Sequence, residues 1–297
     1  MSRGELLLVV ITSLIIAVAA GLVITLTTYG PPQTTTSTPA STASTPLTTT
    51  LAPTTTPRAG YVRVAVVVDN NVFREGLATP WGISMYVETP SARFLFDTGP
   101  DSADLEGNAA SLGIDLGSID FVVISHEHGD HIGGLPLIAR VRPGLTVYIP
   151  SGASPYLREH VRELGLNPVV INETTEVAEG VYVVKPLYGP PYEEAAAVET
   201  PRGLLVLVGC SHPGANNLVR QAVKDVGIKP YAVIGGFHLG GAPVGVVKSV
   251  IDDLVELGVQ KIYPIHCSGS NTREYVAENY PGRYGDGGVG LEVVVKG

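Results

Sequence analysis

A cluster of three histidines and one aspartate follows directly after the apolar segment 121–124, in the string Ser-His-Glu-His-Gly-Asp-His. In an extended chain, residues i and i+2 point the same way, so His126 and His128 can bind one metal ion. Asp130 and His131 come where the chain turns toward the next helix, and they can reach a second ion beside the first. The spacing therefore predicts a site for two divalent metal ions. Nitrogen and oxygen donors suit zinc first, with manganese or iron as alternatives.

Two further histidines lie at the ends of apolar segments. The strand-like run 204–208 leads into a Gly-Cys-Ser-His turn that ends at His212, which can complete a three-histidine site with the first two histidines of the string. The run 262–265 leads into His266, which can join the aspartate and the last histidine in the second site. Two such ions would share a water, lower its pKa toward neutrality and present a hydroxide nucleophile.

These motifs resemble the metallo-β-lactamase superfamily. Their order is similar to that in its dihydropterin–ribofuranosylaminobenzene phosphate synthase-like branch, over nearly all of residues 61–297. The segments that carry the resemblance are 81–84 (Trp-Gly-Ile-Ser), 96–99 (Phe-Asp-Thr-Gly), 108–109 (Asn-Ala), 112–116 (Leu-Gly-Ile-Asp-Leu), 209–214 (Gly-Cys-Ser-His-Pro-Gly), 235–239 (Gly-Gly-Phe-His-Leu) and 266–269 (His-Cys-Ser-Gly). The resemblance implies an αββα sandwich with a dinuclear metal site along one edge. It also implies that Asp97 orients the site without binding metal itself.

One position departs from the pattern of most hydrolytic members of the superfamily. Those members have an aspartate that bridges the two metals, whereas the matching strand end here carries His238. His238 is a candidate metal ligand, a proton donor or a group that binds an anionic substrate, and a packing role is the fourth alternative. With Asp97 and Asp130, it makes up the predicted catalytic residues.

The two cysteines adjoin predicted ligands. Cys210 lies two residues before His212, and Cys267 follows His266. The first interpretation is that both are small buried side chains near the site. A disulfide between them and metal ligation are the alternatives.

Alternating and helical patterns predict the elements that position these residues. Strands are expected at 61–68, 82–88, 92–96, 120–124, 145–149, 181–184, 204–208, 231–234, 261–265 and 290–295. Helices are expected near 103–112, 134–141, 155–164, 215–226, 244–257 and 272–279. Segments 69–81 and 185–201 are predicted to be loops that shape the substrate site. These loops carry Trp81, Tyr188, Tyr192, Glu193 and Glu194. Strands precede helices in both halves and no proline- or serine-rich break interrupts residues 60–297, so one α/β domain is favoured over two.

The chain begins with a different kind of sequence. Residues 6–26 carry no charge and at the helical rise would span roughly 30 Å, so residues 1–30 are predicted to be a single-pass transmembrane anchor. A cleaved signal peptide is the alternative, because Ala17-Val18-Ala19 has the small-x-small pattern of a cleavage site. Arg3 favours a cytoplasmic amino terminus and an extracytoplasmic domain at the cytoplasmic membrane. Residues 31–59 are predicted to be an extended, disordered stalk, because 21 of the 28 positions in 31–58 are Thr, Ser or Pro.

The composition narrows the function classes. A net charge of −9 without a Lys/Arg-rich stretch argues against a nucleic-acid partner, and two cysteines cannot form a disulfide scaffold. The predicted function is a membrane-anchored metallo-hydrolase that cleaves a small-molecule ester, amide, lactone or phosphoester. The alternatives are a dihydropterin synthase-like transferase that uses the same metals and a non-catalytic surface module that holds metal.

Overall fold

The computed structural model describes residues 61–296. The predicted transmembrane anchor and stalk lie outside the described residues. Within residues 61–296, no helix is long and apolar enough to cross a bilayer.

A seven-stranded sheet forms the first half of the described domain. Its strands, in spatial order, are β15 (Glu292–Lys296), β1 (Tyr61–Val68), β2 (Ser84–Glu88), β3 (Arg93–Phe96), β4 (Phe121–Val123), β5 (Thr146–Pro150) and β6 (Asn167–Ile171). Strands β3 to β6 are parallel, whereas β15, β1, β2 and β3 pair antiparallel. In the pair of β1 with β15, Tyr61 lies opposite Lys296. The first and last strands of the described chain therefore lie side by side.

A six-stranded sheet forms the second half. Its spatial order is β14 (Lys261–Ile265), β13 (Pro230–Gly236), β12 (Gly203–Val208), β11 (Ala196–Thr200), β8 (Val181–Val183) and β7 (Thr175–Ala178). Strands β12, β13 and β14 are parallel. A separate two-stranded ribbon pairs β9 (Leu187–Tyr188) with β10 (Tyr192–Glu193).

The two sheets pack face to face over an apolar core that includes Val64 and Phe96 from the first sheet and Leu205 and Ile234 from the second. Helices cover both outer faces. Those on the first sheet are α1 (Ser102–Ser111), the short α2 (Gly129–Ile132), α3 (Leu135–Val141) and α4 (Pro155–Glu163). Those on the second sheet are α5 (Ala215–Val226), α6 (Val244–Glu256) and α7 (Ser270–Asn279). The four layers confirm the predicted αββα sandwich.

All the predicted strands and helices are present, with ends shifted by a few residues. The prediction of a loop over 185–201 was wrong, because this segment contains β9, β10 and β11. Three consecutive alanines concealed β11, since alanine has low strand propensity. Strands β6 and β7 were not predicted either. Pro168 argues against a strand interior, but the structure places β6 at the sheet edge, where proline is tolerated.

Because neighbouring strands are parallel at the centre of each sheet, their carboxyl ends bring the predicted site residues to one edge of the sandwich. The carboxyl ends of β3, β4, β12, β13 and β14 are followed by Asp97, the string 125–131, His212, His238 and His266. The fold therefore gathers segments that lie far apart in the sequence.

Candidate metal centre

Three histidines form the first group of donors at this edge. The Nε2 atom of His126 lies 3.0 Å from Nδ1 of His128. The ring of His212 lies 4.9 Å from the His126 ring and 5.0 Å from the His128 ring, centroid to centroid. The Nε2 atom of His212 is buried and has no hydrogen-bond partner. A buried donor atom without a partner is costly, and a metal ion held between these three rings would satisfy it.

A second group lies beside the first. The Oδ2 atom of Asp130 is 3.6 Å from Nε2 of His131 and 3.5 Å from Nε2 of His266. Both histidines are buried, and their rings lie 5.4 Å apart, centroid to centroid. The structure thus brings together six of the seven residues proposed from the sequence as ligands, in two adjacent groups of three.

Asp97 is fully buried behind the second group. One carboxylate oxygen accepts the Ser125 backbone N–H at 2.7 Å. The other accepts the Ser125 hydroxyl at 2.7 Å and lies 2.7 Å from Nδ1 of His131. Since the carboxylate holds the proton on Nδ1, the Nε2 lone pair of His131 points into the site. Asp97 therefore orients the ring of His131, which agrees with the orienting role that the resemblance implied.

Two further side chains orient ligand rings, and the sequence analysis missed both. The Ser125 hydroxyl lies 2.9 Å from Nδ1 of His126, and the Asn70 side-chain oxygen lies 2.9 Å from Nδ1 of His266. The Asn70 amide also donates to the His266 carbonyl at 3.3 Å. Ser125 adjoins the histidine string and was within reach of sequence reasoning. Asn70 lies 196 residues before His266, and no spacing pattern connects the two.

Glu193 is a third residue that the sequence did not place in the site. Its carboxylate is fully buried and accepts the backbone N–H groups of Ser211 at 2.7 Å and His212 at 2.8 Å. Burial raises the pKa of Glu193 to about 7. Glu193 therefore holds the turn that carries His212, instead of lining a substrate loop.

The environment keeps most of the ligand histidines neutral. Burial, followed by the neighbouring histidines, lowers the pKa of His126 well below its usual value. Burial likewise lowers the pKa of His212 to about 4 and that of His266 to about 2. Burial also lowers the pKa of His131, but the Asp97 carboxylate outweighs it and raises the pKa overall. Neutral imidazole is the form that binds metal.

His238 lies at the rim of the centre and is exposed. Its ring is 4.4 Å from the His212 ring, centroid to centroid, and one of its ring nitrogens lies within 4.8 Å of the Cys210 and Cys267 sulfurs. A hydrogen bond with Cys267 raises the pKa of His238. The structure therefore places His238 beside the first group and not among the donors of the second.

Backbone conformation marks the same edge. Among the described residues other than glycine, four have positive φ: Asp97 at 59°, Ser211 at 63°, His238 at 52° and His266 at 52°. Such a conformation costs roughly 1–3 kcal/mol for residues with a side chain, and it concentrates at functional sites. Each of these four residues lies in a turn that follows a strand at the centre.

The two cysteines are free and buried. The Sγ atom of Cys267 faces the Cys210 carbonyl oxygen at 3.6 Å. The structure contains no disulfide between them, and the packing interpretation describes Cys267 well.

The mouth of the centre carries aromatic rings and an adjoining cavity. Trp81 is 60% exposed, and its ring lies 5.1 Å from the His266 ring, centroid to centroid. Next to His212 there is a cavity of about 400 Å³. The residues that line it are Leu187, Tyr188, Pro213, Asn217, Arg220, Gln221 and Lys224. An exposed aromatic ring therefore lies beside the second group, and a basic cavity adjoins the turn that carries His212.

The fold and the histidine-rich edge define a class of protein. The family model of the metallo-beta-lactamase superfamily matches residues 80–228, and the chain belongs to this superfamily, as its motifs indicated.

Individual relatives agree with this assignment. A relative from Methanocaldococcus jannaschii, 7,8-dihydropterin-6-methyl-4-(beta-D-ribofuranosyl)-aminobenzene-5'-phosphate synthase, is 28% identical over 248 residues, which cover 67% of this chain and 84% of the relative. The crystal structure of Tm1679, a metal-dependent hydrolase of the beta-lactamase superfamily, matches with a TM-score of 0.68 at 25% identity, covering 80% of this chain and all of that one. The metallo-beta-lactamase fold protein YhfI from Bacillus subtilis matches with a TM-score of 0.58 at 12% identity, covering 79% of this chain and 99% of its own, and shows the fold alone.

Proposed function

We propose that this chain is a metal-dependent hydrolase that holds two divalent ions, zinc first, and acts on a small molecule. The observation that carries the proposal is the convergence of two adjacent donor groups at one sheet edge, with the buried Nε2 of His212 left without a partner. Two ions held there would lower the pKa of a shared water toward neutrality and polarise the attacked carbonyl or phosphoryl oxygen.

The protein's own contribution is preorganisation of the donors. Asp97, Ser125 and Asn70 fix the ring orientation of His131, His126 and His266, and each leaves a ring nitrogen facing the site. Glu193 holds the turn that carries His212. These partners keep the donors in place before substrate arrives, so little reorganisation accompanies the reaction.

His238 is the proposed proton donor to the leaving group. It is exposed at the rim beside His212, and its contact with Cys267 favours the protonated ring. A general acid contributes roughly 10²–10⁴-fold to turnover. The ligand and anion-binding alternatives for His238 are outcomes of the tests below.

The basic cavity supports a substrate with an anionic end. Arg220 pairs with Asp253 at 2.5 Å, whereas Lys224 forms no ion pair with another described residue. Pro213, which follows His212, lines the cavity, and we propose that a phosphate or carboxylate binds there while the rest of the substrate reaches the metals. Lys224→Ala should raise KM for anionic substrates several-fold and leave kcat nearly unchanged. An unchanged KM would argue against this cavity as the substrate site.

Group transfer is the second candidate reaction. The similarity to the M. jannaschii synthase favours group transfer, because the name of that enzyme describes the synthesis of a phosphate ester. The same basic cavity suits a phosphate group. Reaction in isotopically labelled water separates the two candidates. Hydrolysis places the label in the product, whereas transfer to another acceptor does not.

Metal analysis combined with turnover tests the proposal. The purified protein should bind about two ions after reconstitution, and it should turn over at least one of a panel of chromogenic phosphodiesters, lactones and β-lactams. His126→Ala should lose both metal and activity. His160→Ala is the matched control, because His160 lies on α4 outside the site. Less than about 0.2 equivalents of bound metal per chain, after trials with zinc, manganese and iron, would refute the proposal of a metallo-hydrolase.

The location of the enzyme is a separate proposal. We infer from the sequence that residues 6–26 hold the domain at the cytoplasmic membrane, with the domain outside the cytoplasm. The deletion described in the Discussion tests this part independently of the chemistry.

A further inference from the structure

Cys210 occupies a position that the proposed ligand sets do not explain. The described chain contains three groups of three metal-capable residues, and within each group the candidate ligand atoms lie within 4.8 Å of one another. Cys210 belongs to all three groups: with His126 and His212, with His131 and His266, and with His238 and Cys267. Its Sγ atom lies 3.4 Å from Nε2 of His131 and 3.4 Å from Nε2 of His266. The thiol is 4% exposed, so water does not account for its environment.

Hydrogen bonding alone satisfies this arrangement poorly. The Nδ1 atoms of His131 and His266 face Asp97 and Asn70 oxygens, so both protons belong on Nδ1. When both rings are neutral, as metal binding requires, both Nε2 atoms are acceptors directed at the same sulfur. A thiol has one proton and can donate to only one of them. The second Nε2 atom is then left without a hydrogen-bond donor from this sulfur.

A metal ion resolves the conflict. With bonds of about 2.0–2.3 Å, two donors of a tetrahedral ion lie roughly 3.3–3.6 Å apart. The two distances from Cys210 Sγ are 3.4 Å, and the two from Asp130 Oδ2 are 3.5 and 3.6 Å. These four of the six distances between donors are compatible with one tetrahedral ion bound by one oxygen, two nitrogens and one sulfur.

We infer that the Cys210 thiolate is the fourth ligand of the ion held by Asp130, His131 and His266. The inference deepens the proposed function and rests on it. It completes four donors for that ion without His238 and without Cys267, whose Sγ donates to the Cys210 carbonyl oxygen at 3.6 Å. A thiolate also favours zinc over manganese at this position.

Cobalt(II) provides a readout that is independent of activity. The full-length chain, purified in detergent and loaded with two cobalt ions, should show a near-ultraviolet sulfur-to-cobalt charge-transfer band. Cys210→Ser should remove the band and weaken binding of one ion by at least about tenfold, as expected for a disturbed ligand set. Cys267→Ser is the matched control and should keep both the band and the affinity. A band that survives Cys210→Ser, or disappears with Cys267→Ser, would overturn the assignment.

A second measurement needs no variant and covers the case in which Cys210→Ser fails to fold. X-ray absorption at the zinc edge of the wild-type, two-zinc protein should detect sulfur at about 2.3 Å, at one sulfur per two zinc ions. Two bound ions with nitrogen and oxygen neighbours only would refute the Cys210 ligand and leave the proposed hydrolase intact. Absence of bound metal would refute both.

Discussion

Glu194 is a buried carboxyl group without a partner, and it makes a quantitative prediction about pH and stability. The side chain is fully buried, and neither carboxyl oxygen has a hydrogen-bond partner. Burial, and then the nearby Asp97, raise its pKa well above the ordinary value of 4.5. The folded protein therefore keeps the Glu194 carboxyl protonated, whereas the unfolded chain releases the proton above about pH 4.5.

The sign of the effect follows from this difference. Because the folded-state pKa is raised, the stabilising contribution is complete below about pH 4.5 and is lost as the pH rises. Each pH unit over which only the unfolded chain is ionised lowers the free energy of unfolding by about 1.4 kcal/mol. From pH 4.5 to pH 7 the loss is roughly 3 kcal/mol if Glu194 stays protonated when folded.

Glu194→Gln removes the titrating group and nearly keeps its shape. We expect the free energy of unfolding of the variant, relative to wild type, to rise between pH 4.5 and pH 7, with an upper limit of roughly 3 kcal/mol. Guanidinium chloride unfolding followed by circular dichroism measures this difference. A chelator present at every pH keeps metal release out of the comparison.

An exposed glutamate supplies the control. Glu163→Gln, at the end of α4, should leave the pH dependence unchanged. A flat difference between wild type and Glu194→Gln across this range would mean that Glu194 is ionised in the folded protein. The claim that it lacks a partner would then be refuted.

Three further perturbations test the loop, the rim and the amino-terminal segment. Gly189 has no room for a side chain, since a Cβ atom there would lie 2.3 Å from the Pro213 nitrogen. Gly189→Ala should therefore displace the His212 turn and lower metal affinity. The control is Gly107→Ala, in open space on α1, which should stabilise the fold by about 0.5–1 kcal/mol. Equal metal affinity in both variants would contradict the packing of the ribbon on that turn. His238→Ala should keep about two ions while turnover falls roughly 10²–10⁴-fold; loss of one ion would make His238 a ligand, and unchanged turnover would make it a packing residue. Deletion of residues 1–30 should release a soluble, active protein, and detergent dependence of the truncated protein would contradict the proposed anchor. Protection of the domain from protease on intact cells would contradict the proposed orientation.

Local patterns predicted one α/β domain and most of its elements, whereas the resemblance to the superfamily implied the αββα sandwich. Apolar alternation located β1 and the runs that become β12 and β14, and the helical stripe located α6. The short spacing of the histidine string identified one edge of the site, because all of its donors come from a single turn after β4.

Other parts of the site depend on contacts that no local pattern encodes. Asn70 and Glu193 act on His266 and on the His212 turn across long sequence separations, and both are of residue types that are common on surfaces. Cys210 was assigned first to packing, because a cysteine next to a histidine specifies no geometry. Only the distances from its sulfur to two ring nitrogens distinguish the proposed ligand role from a packing role.

The pairing of β1 with β15 has a practical consequence for handling the protein. Strand β1 runs from Tyr61 to Val68, and Asn70, just beyond it, contacts His266 at the metal edge. Eight residues at about 3.3 Å each place Tyr61 roughly 25 Å from that edge. Lys296 pairs with Tyr61 and lies at the same remote end. A fusion partner, an affinity tag or a solid support joined at either of these positions would leave the mouth of the centre open to substrate.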